Sequence, residues 1–99
     1  MKAGSCPVEK TVVLLGDSCS MLIIRDLLVG PKRFSEFERS LSVSTRTLAK
    51  KLKTLEREKL VSKRESQGQP ACGRYELTKK GLALKGIMDA VRTYGEAYL

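Results

Sequence analysis

Arg46, Lys50, Lys53 and Arg57 recur at intervals of four, three and four residues. At 100° per residue that spacing gathers the four cations on one side of a helix, and no carboxylate shares that side. Solvated helix faces usually interleave Glu for i,i+4 pairing, so a bare row of cations calls for an outside anion. Phosphate suits it, because each phosphate neutralised releases condensed counterions. Leu48, Leu52 and Leu55 fall on the opposite side at the i, i+4, i+7 spacing of a core-facing stripe. The stretch STRTLAKKLKTLEREKL, Ser44 to Leu60, therefore reads as one helix with a dry face and a basic face.

If such a helix lies in a major groove, its early residues meet base edges and its later ones flanking phosphates. Thr45, Arg46, Ala49 and Lys50 are then the base-facing candidates, since arginine can donate two bonds to guanine and Ala49 admits close approach. Lys53 and Arg57 are phosphate contacts, and Thr47 lies between the faces, suited to backbone or phosphate. Ser44 is the N-cap, its hydroxyl accepting from the amide of Arg46 or Thr47, with Val43 stapling the corner.

The flanking elements must present this helix. Pro7 opens a first helix lined by Val8, Val12 and Leu15 and ended by Gly16. Asp17 or Ser18 caps a second, Cys19 to Val29, apolar nearly all round and stopped by Gly30-Pro31. Lys32-Arg33-Phe34 is a short extended link, and Ser35 caps a third helix to about Ser40, with Phe37 and Leu41 inward. After the basic helix, Val61 to Glu65 reads as a strand, Ser66 to Gly73 as a loop bending at Gly68, and Arg74 to Leu77 as the returning strand. Lys63, Arg64 and Arg74 are placed to hold an adjacent backbone or minor groove, or else serve to protect strand edges. Thr78 caps a last helix in which Leu84, Ile87, Met88, Val91, Tyr94 and Tyr98 recur at helical spacing.

The charge distribution agrees with this reading. Residues 44–80 hold eleven Lys or Arg against four Glu, a net of +7, which leaves +1 of the chain's +8 for everything else. A polyanionic partner, nucleic acid ahead of an anionic membrane, follows from such concentration. No apolar run approaches spanning length, and the start MKAGSCPVEK has no hydrophobic region before Cys6, so a cytoplasmic protein is expected. Three cysteines with no histidine and no C-x-x-C pair make neither a disulfide framework nor a zinc site, and no cofactor is expected. Cys6, just before a helix N-terminus, is the candidate redox-reactive thiol, with Lys2 and Lys10 nearby in sequence. Cys19 reads as a small core residue and Cys72 as a loop residue.

Helix, helix, short helix, basic helix, hairpin, long helix is the order of a winged helix-turn-helix, mainly α with a small β-hairpin, and residues 1–99 read as one such domain. The chain also resembles the HxlR-type regulators, a MarR-like branch of that class. The resemblance runs through Cys6-Pro7-Val8-Glu9, Leu22-Ile23-Ile24-Arg25-Asp26-Leu27 and Gly30-Pro31-Lys32-Arg33-Phe34-Ser35-Glu36. It continues at Arg46-Thr47-Leu48, Leu52, Leu55-Glu56, Leu60-Val61, Tyr75-Glu76-Leu77-Thr78 and Lys80-Gly81. It implies a homodimeric repressor or activator on a palindromic duplex operator, with the recognition helix at about 44–58, the wing at about 61–77, and an oxidant or small-molecule effector. The implied dimer contacts come from the terminal helices, Val8, Val12 and Leu15 with Ile87, Met88, Val91, Tyr94 and Tyr98; the apolar stripe of the last helix also reads as packing on its own domain, and the two readings can coexist. Where the family often ends the recognition helix with glycine, this chain has Lys59.

Two other readings stand beside this one. A basic interaction module docking an acidic protein would carry the same charge. An enzyme lacks support, since no histidine, metal cluster or phosphate-cradling loop is present in the sequence.

Overall fold

The computed structural model of the chain describes residues 6–66 and 69–99. In chain order the elements are α1 (Pro7–Leu15), α2 (Ser18–Val29), β1 (Lys32–Arg33), α3 (Phe34–Ser40), α4 (Thr45–Arg57), β2 (Val61–Ser66), β3 (Gln69–Leu77), α5 (Lys79–Leu82) and α6 (Lys85–Tyr98).

Capping chemistry sets most helix boundaries. The Asp17 carboxylate accepts from the Ser20 amide at 2.8 Å and the Ser20 hydroxyl at 2.9 Å, opening α2. For α3 the expectation of a Ser35 cap is corrected: the helix begins at Phe34, because Glu36 reaches back to accept from the Arg33 amide at 3.0 Å. The last helix is also corrected. Thr78 caps only the short α5, accepting from the Gly81 amide at 3.1 Å. At Leu84 the amide reaches back three residues, to Gly81 at 3.0 Å, so the ladder tightens there before α6 starts.

The core gathers Ile23 and Ile24 of α2, Phe37 of α3, Leu48, Leu52 and Leu55 of α4, and Leu60, all at most 1% exposed. Tyr75 of β3 closes it from the sheet, its ring meeting that of Phe37 edge to face at 6.2 Å. Leu41 is buried below the turn that joins α3 to α4, and Val43 packs partly against the same core.

The sheet has the order β1-β3-β2, antiparallel throughout. Lys32-Arg33 is thus a third strand rather than an unpaired link, with Lys32 opposite Tyr75 and Arg33 opposite Arg74. The expected loop over residues 66–73 is likewise corrected, since Ser66 pairs with Gln69 and β3 runs from there, through an irregularity between Arg64 and Ser66. Pro70 lies on β3 beyond its pairing with β1, so its missing N–H breaks no ladder bond on that side. The bend assigned to Gly68 falls outside the described residues.

The exit of α4 is a left-handed cap. Leu60 donates to the Leu55 carbonyl at 3.0 Å and Lys59 to that of Glu56 at 2.9 Å, with Lys59 at φ 63°. Thr78 then donates its hydroxyl to the Lys59 carbonyl at 2.6 Å and its amide to that of Leu60 at 3.0 Å. Gly81 lies so close that a Cβ there would stand 2.2 Å from the Leu60 oxygen. Lysine at a position with φ 63° pays a steric cost that glycine avoids. Lys59→Gly is therefore expected to raise unfolding stability by about 0.5–1 kcal/mol, after subtracting glycine's larger unfolded-state entropy. Thermal denaturation checks it: a melting temperature equal to or below the parent's contradicts the strain account.

Candidate nucleic-acid interface

The entry of α4 is built as its composition requires. Ser44 accepts from the Thr47 amide at 3.1 Å and donates its own hydroxyl proton to the Thr47 oxygen at 2.9 Å, so Thr47 is partly engaged within the cap. Thr45 donates to a carboxylate oxygen of Glu38 on α3 at 2.8 Å. That bond, invisible to helical periodicity, ties the first turn of α4 to the helix before it. Thr54 donates back to the Lys50 carbonyl at 3.1 Å.

With Leu48, Leu52 and Leu55 sealed in the core, Arg46, Lys50, Lys53 and Arg57 all face solvent. Among the described residues none of the four has a carboxylate within ion-pair distance. Ala49 is half-buried, and Ser44, Thr45 and Thr47 are exposed. Lys51, just off this row, is the lysine that does pair: its ammonium lies 3.3 Å from Asp17. Burial alone would raise the Asp17 pKa, but the Ser20 amide and hydroxyl and the Lys51 charge outweigh it and hold the carboxyl below its usual value. The cap of α2 is thereby also a strut to α4.

On the hairpin, Lys63, Arg64 and Arg74 are exposed. The Lys63 ammonium sits 5.6 Å from the Tyr75 ring centroid, and Arg64 pairs with Glu76 at 3.1 Å. Arg74 stands between two other arginines, Arg64 on β2 and Arg33 on β1. Arg33 was not among the residues picked from the sequence, because its neighbours come from strand pairing rather than from its own segment.

The terminal helices divide. Val8 (69% exposed), Val12 (49%), Ile87 (40%), Val91 (49%), Tyr94 (60%) and Tyr98 (75%) are open to solvent, with the two tyrosine rings 5.0 Å apart. Leu15 and Met88, expected beside them, instead pack into the chain's own core at 6% and 7% exposure. The reason is helical phase: Leu15 closes α1 where the chain turns into α2, and Met88 lies on the side of α6 facing Met21 and Leu22. Cys6 is the partly exposed N-cap residue of α1 and makes no side-chain capping bond. Cys19 is buried, and burial pushes its thiol pKa up. Cys72 belongs to β3 rather than a loop; its exposure, like the neighbourhood of Lys2, lies outside the described residues.

A short helix, a turn, a basic helix with its apolar side buried and an antiparallel hairpin define a winged helix-turn-helix protein. The HxlR-like helix-turn-helix pattern matches residues 14–99, and the chain belongs to that family of transcriptional regulators. It is 34% identical over 95 residues to the HTH-type transcriptional regulator YodB of Bacillus subtilis, covering 94% of this chain and 85% of that one. Among solved structures, the redox regulator HypR in its reduced form superposes with a TM-score of 0.88 at 30% identity, covering 93% of this chain and 92% of HypR. Quinone-bound YodB of B. subtilis does so with a TM-score of 0.77 at 35% identity, covering 94% and 99%.

The strut carries a pH dependence. A carboxyl whose folded pKa is depressed stabilises the fold above the unfolded pKa, and that contribution disappears as pH falls through the folded value. Asp17→Ala is expected to lose about 1 kcal/mol at neutral pH, the usual worth of such a cap, and to converge on the parent in acid as pH falls through the lowered folded value. Urea denaturation at both pH values measures this; a deficit that persists undiminished in acid rules the carboxylate out as its source.

Proposed function

We propose that the chain acts as a homodimeric, sequence-specific DNA-binding regulator, residues 1–99 forming one winged helix-turn-helix unit. The observation that carries this is the row Arg46, Lys50, Lys53 and Arg57, solvent-facing and without ion pairs among the described residues, on a helix whose other side is locked in the core. In this reading α4 enters the major groove. Thr45, Arg46, Ala49 and Lys50 approach bases, Lys53 and Arg57 the flanking phosphates and Thr47 backbone or phosphate, with Ser44 at the N-cap beside the DNA. Lys63, Arg64 and Arg74 hold backbone or minor groove alongside. No helix among the described residues is long and apolar enough to cross a membrane, and the work of such a protein places it in the cytoplasm.

Two copies meet through α1 and α6. Val8, Val12, Ile87, Val91, Tyr94 and Tyr98 form an exposed apolar surface that a monomer leaves wet, and a two-fold pair presents two α4 helices to a palindrome about one helical turn apart. Arg46→Ala with Lys50→Ala is expected to abolish the preference for the operator over random duplex while the fold survives, read by footprinting and circular dichroism. A folded double variant that protects the same site equally well sinks the assignment. In gel shifts the full palindrome should carry two chains and the isolated half-site bind far more weakly. Salt-sensitive capture of an acidic protein, with no preference among duplexes, would favour the interaction-module reading instead.

A redox response through Cys6 is a second layer, favoured by its partly exposed place at the start of α1 and by the similarity to HypR and to quinone-bound YodB. Peroxide oxidises a thiolate to a sulfenic acid, one peroxide oxygen passing to sulfur and the other leaving as hydroxide, which adds a polar oxygen beside the proposed dimer surface. Oxidant is expected to change operator affinity in the parent and not in Cys6→Ser. Equal responses in both proteins remove Cys6 from the mechanism.

A further inference from the structure

The strand register brings together residues from three separate segments. Arg33 on β1 stands opposite Arg74 on β3, and Arg74 opposite Arg64 on β2, so three arginines form a line across the sheet. Tyr75 is buried, and alternation along the strand puts its neighbour Arg74 on the other, outer face; all three arginines are exposed. Like charges directly opposite each other weaken a sheet, so such a line is costly unless an anion covers it.

The local carboxylates cover it incompletely. Glu76 pairs with Arg64 at 3.1 Å, an ion pair whose arginine is 78% exposed. Glu36 bonds the Arg33 amide rather than a guanidinium. Arg33 and Arg74 have no ion pair among the described residues, and Glu36, whose pKa is lowered first by the Arg33 amide and then by the charges of Lys32, Arg39 and Arg74, is one carboxylate shared among three cations.

We propose that Arg33, Arg74 and Arg64 form one phosphate-contacting row on the outer face of the sheet, in which Arg33, from neither the recognition helix nor the hairpin, holds the DNA backbone beside the half-site. The inference rests on the DNA-binding reading and extends it to a third segment of the chain. Two arginine-to-arginine steps across neighbouring strands span roughly 10 Å, the scale of a DNA groove, which suits successive phosphates better than one acidic side chain. Guanidinium groups also match phosphate with two parallel bonds each. The short α3 joins the row to the basic helix, since Arg33 stands at one end of α3 and Thr45 of α4 bonds Glu38 near the other.

The test compares the parent with Arg33→Gln, Arg74→Gln and the double variant on the operator and on a random duplex, from 50 to 200 mM salt. Each substitution is expected to weaken both duplexes by the same factor, about threefold to tenfold, and to lower the salt slope by about 0.9. The ratio of operator to random affinity should stay that of the parent, and Arg33→Lys should restore the slope. Thermal melts verify that the variants are folded. Unchanged slopes in a folded double variant, or a loss confined to the operator, overturn the phosphate row while leaving the recognition helix intact. So does a double variant that keeps its DNA affinity but loses an acidic protein partner. A parent with no affinity for any duplex brings down the DNA-binding reading itself, and this proposal with it.

Discussion

Burial of Leu48, Leu52 and Leu55 is the constraint from which the rest of the structure follows. All three are at most 1% exposed, and removing each such side chain from water is worth about 1.5–3 kcal/mol. They allow α4 only one rotation about its axis, and that rotation alone decides which residues meet solvent. The basic row is displayed because turning it inward would bury four cations and expose three leucines. Geometry at both ends completes the restraint. Ser44 and the Thr45–Glu38 bond fix the entry, and the left-handed turn at Lys59, clasped by Thr78, fixes the exit.

Carboxylates are used sparingly and structurally. Asp17 caps α2 and braces α4 through Lys51. Asp26 accepts from Arg25 and from the Ser40 hydroxyl, joining α2 to the end of α3, and Glu36 closes the start of α3. Each of these sites sits at a helix end or a joint between helices. None lies on the outward side of α4, so the field there stays positive. The same economy explains how a net +8 is tolerated in a small chain: much of the repulsion is spread over exposed side chains in water, where it is screened.

The apolar surface of α1 and α6 fits a chain of this size. Ninety-nine residues bury a limited core, and valines and tyrosines left open on two helices are costly in a lone monomer. In the proposed dimer, pairing would bury that surface and present α4 twice. Leu15 and Met88 show the other half of this division, since the inward sides of the same helices hold them to their own core.

Local chemistry by itself determined α1, α2 and α4, because caps, glycine stops and apolar periodicity are properties of neighbouring residues. Pro7, Gly16, Asp17, Gly30 and Ser44 mark their boundaries in the chain itself, and the two sides of α4 are a matter of arithmetic. The place of α4 between a short helix and a hairpin was legible for the same reason. Only the tertiary structure decided what depends on pairing between distant segments. Lys32-Arg33 carries no strand pattern of its own and becomes β1 by bonding to Arg74 and Tyr75 of β3, far along the chain. The break at Leu84 arises where Gly81 packs against the carbonyl of Leu60. The alignment of Arg33, Arg74 and Arg64 likewise belongs to no single stretch, since hydrogen bonds between strands set register and no periodicity within one strand contains it.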